Sequence, residues 1–126
     1  NWDWILGSRS FVNDLNVQPE AVVIVDMVGD SDLTIYMESN SDPEINSQIW
    51  LTAKKLNYED FFISEGTISI LDDHTPFLEK GIRAVDIIDI KYPYWHTTKD
   101  TTDKVSAQSL EIVGRTLEEW LTNFKP

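Results

Sequence analysis

Asp26, His96 and the run Asp72-Asp73-His74 are the residues of this 126-residue sequence whose chemistry stands out from their surroundings. Asp26 interrupts the apolar run AVVIVDMV at 21–28, where an ionised carboxylate is costly unless a cation or several donors satisfy it. A metal ion would do this. So would hydrogen bonds at a strand end, with the aspartate capping the turn through Gly29. His96 sits in Tyr92-Pro-Tyr-Trp-His-Thr-Thr, among three aromatics, where an imidazole can be a ligand, a general base or a stacked core residue. Asp72, Asp73 and His74 precede Thr75-Pro76 and so stand at a helix start. Carboxylates are favoured there by the helix dipole, and like charges beside an imidazole can drive pKa values apart.

These residues need elements to hold them. The run 21–28 is rich in β-branched residues and reads as a strand buried on both faces. The turn 29–32 is short, which predicts that a second strand over 34–39 lies beside the first. Asp42 before Pro43, followed by Ile45, Ile49, Ala53 and Leu56, predicts a capped helix over 43–56. Residues 58–71 mix aromatics, Gly66, Thr, Ser and Ile and read as a loop with a short extended piece. A short helix starts at Thr75-Pro76 and ends near Lys80, with Gly81 supplying left-handed geometry. A Val- and Ile-rich strand covers 84–90, and 92–103 is loop. Ser106 caps a last helix, with Val105 and Leu110 placed as a hydrophobic staple and Leu110, Val113, Leu117, Trp120 or Leu121, and Phe124 as its buried stripe. The opening residues 1–15 keep Ile5, Leu6, Phe11, Val12 and Leu15 near one helical face, without a capping residue ahead of them. Alternation of strands and helices makes this one α/β unit, in which ligands bind outside the carboxyl ends of the strands. Asp26 and His96 both fall at that rim.

Composition narrows the functions. The absence of cysteine excludes disulfide frameworks, thiolate metal sites and cysteine nucleophiles; it fits a cytoplasmic setting without ruling out others. Ten basic against 22 acidic residues give a net charge of −12, which repels phosphate backbones and argues against nucleic acid as a partner. No apolar run approaches the roughly 20 residues needed to cross a bilayer, so no membrane role is expected. With 41% hydrophobic and 11% aromatic residues the chain is too apolar for disorder. Dinucleotide, P-loop, serine-elbow and HExxH motifs are all missing.

Three ordered motifs make the sequence more specific: Val25-Asp-Met-Val-Gly29, Asp73-His-Thr-Pro-Phe-Leu-Glu-Lys-Gly-Ile82 and Tyr94-Trp-His-Thr-Thr98 with Asp100-Thr after it. Together with Leu6-Gly-Ser-Arg9 they resemble the zinc aminopeptidase and glutaminyl cyclase family over nearly the whole chain. The resemblance implies a three-layer α/β sandwich with a mixed, mostly parallel central sheet and a zinc site at the strand ends. It also implies a role for each matching residue. Asp26 corresponds to the aspartate that binds a second zinc in the peptidases and lies beside the single zinc in the cyclases, and His96 to the zinc-ligating histidine of both. Asp73 matches the aspartate whose hydrogen bonds hold the cyclase active site, and Trp95 an aromatic lining its substrate pocket. His74 belongs to the motif without being a ligand.

The family's upstream half supplies a histidine and an aspartate from an early strand, then an acidic pair. None of these is found before Asp26, where the only carboxylates are Asp3, Asp14 and Glu20. Residues 1–126 are therefore expected to be the C-terminal portion of a catalytic domain whose N-terminal half is missing, and to be inactive alone. In a complete cyclase, zinc would polarise the γ-carboxamide of an N-terminal glutamine while a carboxylate carries the proton to departing ammonia. In an aminopeptidase, a zinc-activated water would attack the first peptide bond. The Asp-Asp-His-x-Pro-Phe wording and Trp95 favour the cyclase; residues 97–105 look like those of many aminopeptidases. Either reading makes a peptide N-terminus the substrate. A third reading is a non-catalytic module that forms a homodimer through an exposed sheet edge.

Overall fold

A computed structural model describes residues 4–125. In chain order they form α1 (Leu6–Asn13), β1 (Val22–Asp26), β2 (Ile35–Glu38), α2 (Pro43–Lys55), β3 (Phe62–Ile68), α3 (Thr75–Glu79), β4 (Ala84–Ile88), a 3-10 turn at Thr102–Lys104 and α4 (Ala107–Asn123). Helix α2 begins where its sequence requires. The Asp42 carboxylate accepts from the N–H groups of Glu44 at 3.1 Å and Ile45 at 2.9 Å, Pro43 occupies the first turn, and Lys54 and Lys55 close the last. Helix α4 is capped likewise, the Ser106 hydroxyl accepting from the N–H groups of Gln108 and Ser109. Helix α1 starts at Leu6 behind a left-handed Ile5 and buries only Val12; the expected helical residues 1–3 lie outside the described residues.

Strand β4 lies in the middle of the strand layer, with all five residues buried. It pairs in parallel with β1, Val22 opposite Ala84 through Asp26 opposite Ile88. On its other side β2 runs in the opposite direction. The Thr34 N–H donates to the Asp89 carboxylate at 2.8 Å at one end, and the Asp42 N–H donates to the Ala84 carbonyl at 2.8 Å at the other. Strand β3 then pairs in parallel with β2, with a register shift after Tyr36 that leaves residues 64–66 out of the ladder; Gly66 takes the positive φ of 83° there. The strands thus form two parallel ladders, β1-β4 and β2-β3, with β2 packed along β4, and this corrects the expectation that β2 lies beside β1. The short turn does reverse the chain, but β4, the most completely apolar-buried strand, inserts between the two. The segment read as mostly loop contains the seven-residue β3, and the strand expected over 84–90 stops at Ile88.

The strands alternate their side chains between two layers. Val23, Val85 and Ile87 join Leu33, Ile35, Ile45, Ile49, Trp50, Phe62, Ile112, Val113 and Trp120 in the core under α2 and α4. Val22, Ile24 and Ala84 face Val12, Phe77 and Ile82 under α1 and α3. Helices thus cover both faces of the strand layer, giving the three-layer α/β arrangement. The buried stripe of α4 is Ser109, Ile112, Val113, Thr116 and Trp120, while Leu110 and Leu121 are exposed. The helix is turned by about one residue from the expected stripe because its small polar residues can approach the sheet with their hydroxyls satisfied. Ser109 donates to the Asp30 carbonyl at 2.6 Å and Thr116 to the Ile112 carbonyl at 2.8 Å. Among the described residues no helix is long and apolar enough to cross a membrane.

Candidate functional site

Because β1 and β4 are parallel, their carboxyl ends open on the same rim, and the chain segments that follow them converge there with the approach to α3. A cavity of about 290 Å³ results, lined by Asp26, Asp72, Asp73, Trp95 and His96 together with apolar residues that include Met27 and Ile88. The four residues singled out from the sequence, Asp26, Asp73, Trp95 and His96, therefore share one cavity. Trp4 and Ile5 form another part of the wall, and the Trp4 indole N–H donates to the Leu71 carbonyl at 3.1 Å.

The backbone around this cavity is unusual. Ile5, Met27 and His96 have φ of 52°, 51° and 56°, a left-handed conformation that costs a non-glycine residue on the order of 1–2 kcal/mol. At Met27 it turns the chain sharply out of β1 just after Asp26. At His96 it lays the imidazole on the Trp95 indole, with ring centroids 4.1 Å apart and planes 22° from parallel. The loop carrying both rings is braced internally. Tyr92 donates its phenol proton to Asp100 at 2.6 Å, and Thr97 donates from its N–H and hydroxyl to the Tyr94 carbonyl at 3.0 and 2.7 Å. The Asp100 carboxylate pushes the Tyr92 phenol up to about 12. A second brace ties the two loops together. The Ser106 N–H donates to the Gly29 carbonyl at 2.8 Å, and a β-carbon on Gly29 would fall 2.9 Å from Val105 Cγ1.

Asp26 differs from its sequence-based expectation. Its side chain stands at the rim and is exposed, so water rather than a buried partner solvates its charge; among the described residues it accepts no hydrogen bond that would make it a turn cap. The run 21–28 is likewise less buried than its composition predicts, with Val25 45% exposed. On the opposite wall, burial pushes the Asp72 carboxyl above its usual range, reinforced by the charges of Asp86, Asp26 and Asp73.

Sequence reasoning missed the polar cluster immediately behind that wall. His74 is fully buried, with Nε2 3.0 Å from Glu38 Oε2 and Nδ1 3.4 Å from Asp86 Oδ2. It does not sit beside Asp72 and Asp73 as a proton partner; its ring points into the protein. Burial alone would push the Glu38 carboxyl up, but the His74 ring beside it, together with the N–H groups of Asn40 and Ile70 and the Ser41 hydroxyl, which donate to it, brings it down to about 2. Burial likewise opposes charging of His74, yet Asp86 and Glu38 outweigh it and raise the imidazole to about 9. Asp86 is pushed up by burial, against the pull of His74. The sequence signals were present: an acid inside the apolar run of β4 and another at the end of β2, each needing a buried partner.

Asp26 and His96 are donors of the types that zinc takes, but a catalytic zinc needs three protein ligands, and no group of three or more His, Cys, Asp or Glu among the described residues could hold a metal ion. The donor set seen here is thus incomplete, and no catalytic step can be built on a metal from these residues alone.

Comparison with known proteins places the chain in a family. The chain is similar in structure to Porphyromonas gingivalis glutaminyl cyclase, at 32% identity and a TM-score of 0.86, covering 94% of this chain and 48% of that one. A leucine aminopeptidase precursor from Bacteroides thetaiotaomicron matches at 33% identity and a TM-score of 0.89, covering 97% of this chain and 45% of that one. A Zn-dependent exopeptidase from Parabacteroides distasonis matches at 27% identity and a TM-score of 0.88, covering 98% and 48%. The chain thus spans less than half the length of each of these structures. No curated protein matches it. Residues 3–121 match the description of peptidase family M28, and with the fold and the strand-end cavity this shows that the chain belongs to that family.

Proposed function

We propose that this chain is the C-terminal portion of a zinc-dependent glutaminyl-peptide cyclotransferase-like enzyme, which converts an N-terminal glutamine to pyroglutamate and releases ammonia. The observation that carries the reading is the convergence of Asp26, Asp73, Trp95 and His96 on one cavity at the strand ends. The similarity to glutaminyl cyclases supports it. In this proposal Asp26 and His96 are metal ligands, completed by residues of the kind found in the other half of the relatives. Bound zinc would supply Lewis acidity toward the oxygen of the glutamine side-chain amide.

The chain's own residues then have distinct tasks. Trp95 offers an aromatic wall against which the glutamine side chain folds back on its own α-amine. Cyclisation forms a bond between the α-nitrogen and Cδ, breaks the bond from Cδ to the amide nitrogen, and moves one proton from the first nitrogen to the second. Asp73 orients the reacting groups, and Asp72, whose proton affinity burial raises, is the neighbouring carboxyl that takes part in the proton transfer. An aminopeptidase is the second reading, favoured by the similarity to the leucine aminopeptidase precursor.

Incubating a polypeptide that carries this chain and its missing half with a Gln-initiated peptide and with Leu-p-nitroanilide separates the two. Ammonia release without anilide cleavage is expected; the reverse result selects the peptidase. The 126 residues alone should turn over neither substrate.

The outer edge of β1 is unpaired among the described residues, and beside it Val23, Val25, Leu117, Trp120, Leu121 and Phe124 line an apolar groove of about 440 Å³. We assign this edge to the remainder of the catalytic domain, since β1 has the sequence of a strand buried on both faces. A homodimer through the same edge is the competing occupant. It would show as concentration-dependent elution of the isolated chain from a sizing column and vanish when the missing half is present.

A further inference from the structure

The buried cluster of Glu38, His74 and Asp86 has no part in the reaction as written above, yet it adjoins the acidic wall of the cavity. His74 is the residue at which the chain leaves Asp72 and Asp73 and enters α3. Glu38 ends β2 and Asp86 is the middle residue of β4. Asp86 lies opposite Ile24 in the β1–β4 ladder, and Asp26 is two residues beyond Ile24, so Asp26 and Asp86 project from the same face of the sheet.

Two features make this more than a satisfied core histidine. Each ring nitrogen lies close to a different carboxylate, 3.0 Å from Glu38 and 3.4 Å from Asp86, without the alignment of a hydrogen bond at either, so it is charge that lets the ring bridge two strands rather than cap one. The Glu38 carboxylate also accepts from the N–H groups of Asn40, Ser41 and Ile70. It thereby gathers the end of β2, the chain leaving β3 and, through His74, the start of α3. The only partner within reach of the Asp86 carboxylate among the described residues is His74. A buried carboxylate that depends on one ring, next to a loop that lines the cavity, couples the ring's position to that loop.

We propose that His74 is a positioning residue, bridging Glu38 and Asp86 so that Asp72 and Asp73 are fixed at the cavity wall opposite Asp26 and His96. This rests on the proposed reading of the cavity as the reaction site. With one proton shared between His74 and Asp86, the cluster carries a single net negative charge, and loss of the ring would leave two carboxylates uncompensated beneath a wall that already holds Asp26, Asp72 and Asp73. A neutral ring with a protonated Asp86 gives the same charge and the same bridge.

The test uses the complete polypeptide and whichever substrate, Gln-initiated peptide or Leu-p-nitroanilide, the unsubstituted enzyme turns over. His74→Gln should lower kcat by roughly tenfold to a hundredfold, as small displacements of orienting groups do, with KM within about twofold and bound zinc unchanged. The acid limb of the kcat profile should move, since the titration of Asp72 follows its surroundings. Glu38→Gln, which removes one end of the bridge and keeps the ring, should give the same split in milder form. Unchanged kcat and pH profile in His74→Gln overturn the proposal, as does a loss of bound zinc in parallel with activity. Should neither variant fold, nitrogen-15 NMR of the unsubstituted protein decides: a His74 ring N–H protected from exchange supports the bridge, and rapid exchange at both nitrogens overturns it. Inactivity of the unsubstituted enzyme on both substrates would instead count against the reaction-site reading, while the NMR measurement still reports on the bridge.

Discussion

Raising the pH from 6 to 9.5 should destabilise this protein, chiefly through His74. His74 has its folded pKa raised from 6.5 to about 9. A group raised in this way contributes stability that is fully present below 6.5 and lost as the pH passes through 9. A difference of about 2.5 units at 1.36 kcal/mol each corresponds to about 3 kcal/mol, an upper figure because Glu38 and His74 share the same interaction. Asp86 acts in the same direction: burial raises its carboxyl, so keeping it ionised becomes a penalty as the pH climbs above the ordinary carboxylate range. At the acid end Glu38 works oppositely, its contribution present above 4.5 and lost as the pH falls toward 2. Urea unfolding at the two pH values measures the effect. With a slope of about 2 kcal/mol per M, the midpoint should drop by about 1.5 M in the unsubstituted protein. In His74→Gln it should already be low at pH 6 and should change little. An equal alkaline drop in both proteins would refute the assignment to His74.

Two further substitutions probe the scaffold. Asp42→Ala removes the α2 cap together with the pair to Arg83 at 3.0 Å and should cost about 1–2 kcal/mol by thermal melting, whereas Asp42→Asn keeps the cap and should cost less than about 1 kcal/mol. Gly29→Ala places a methyl against Val105 Cγ1 and should destabilise by about 1 kcal/mol, and Val105→Ala in the same chain should recover most of that loss, since the contact is with a side chain rather than backbone.

Much of the fold was legible because local signals and burial agree. Asp42-Pro43 and Ser106 cap the helices that they were expected to cap, and Gly81 takes its positive φ of 74°. Strand neighbours were not legible. Nothing local to residues 29–34 reveals that β4, more than fifty residues later, inserts between β1 and β2. Strand β3 was obscured because Glu65 and Gly66 break the alternation where the ladder shifts register. In α4 two stripes one residue apart are both compatible with helical spacing, and only the hydroxyl partners of Ser109 and Thr116 select between them. At the site, motif residues gave the cavity, but Glu38 and Asp86 are isolated acids in apolar strands, and their shared partner emerges only from tertiary proximity.

The four tryptophans among the described residues sort into two optical groups. Trp50 and Trp120, each 4% exposed, are fixed in the core, with indole N–H groups donating to the Ile63 carbonyl and to Gln48 at 3.0 Å. Trp4 and Trp95, 47% and 45% exposed, line the cavity. Fluorescence emission should therefore resolve a blue component that reports global unfolding and a red, quencher-accessible component that reports cavity occupancy. A ligand entering beside His96 would dim or shift the second and leave the first untouched, so the protein carries its own binding reporter.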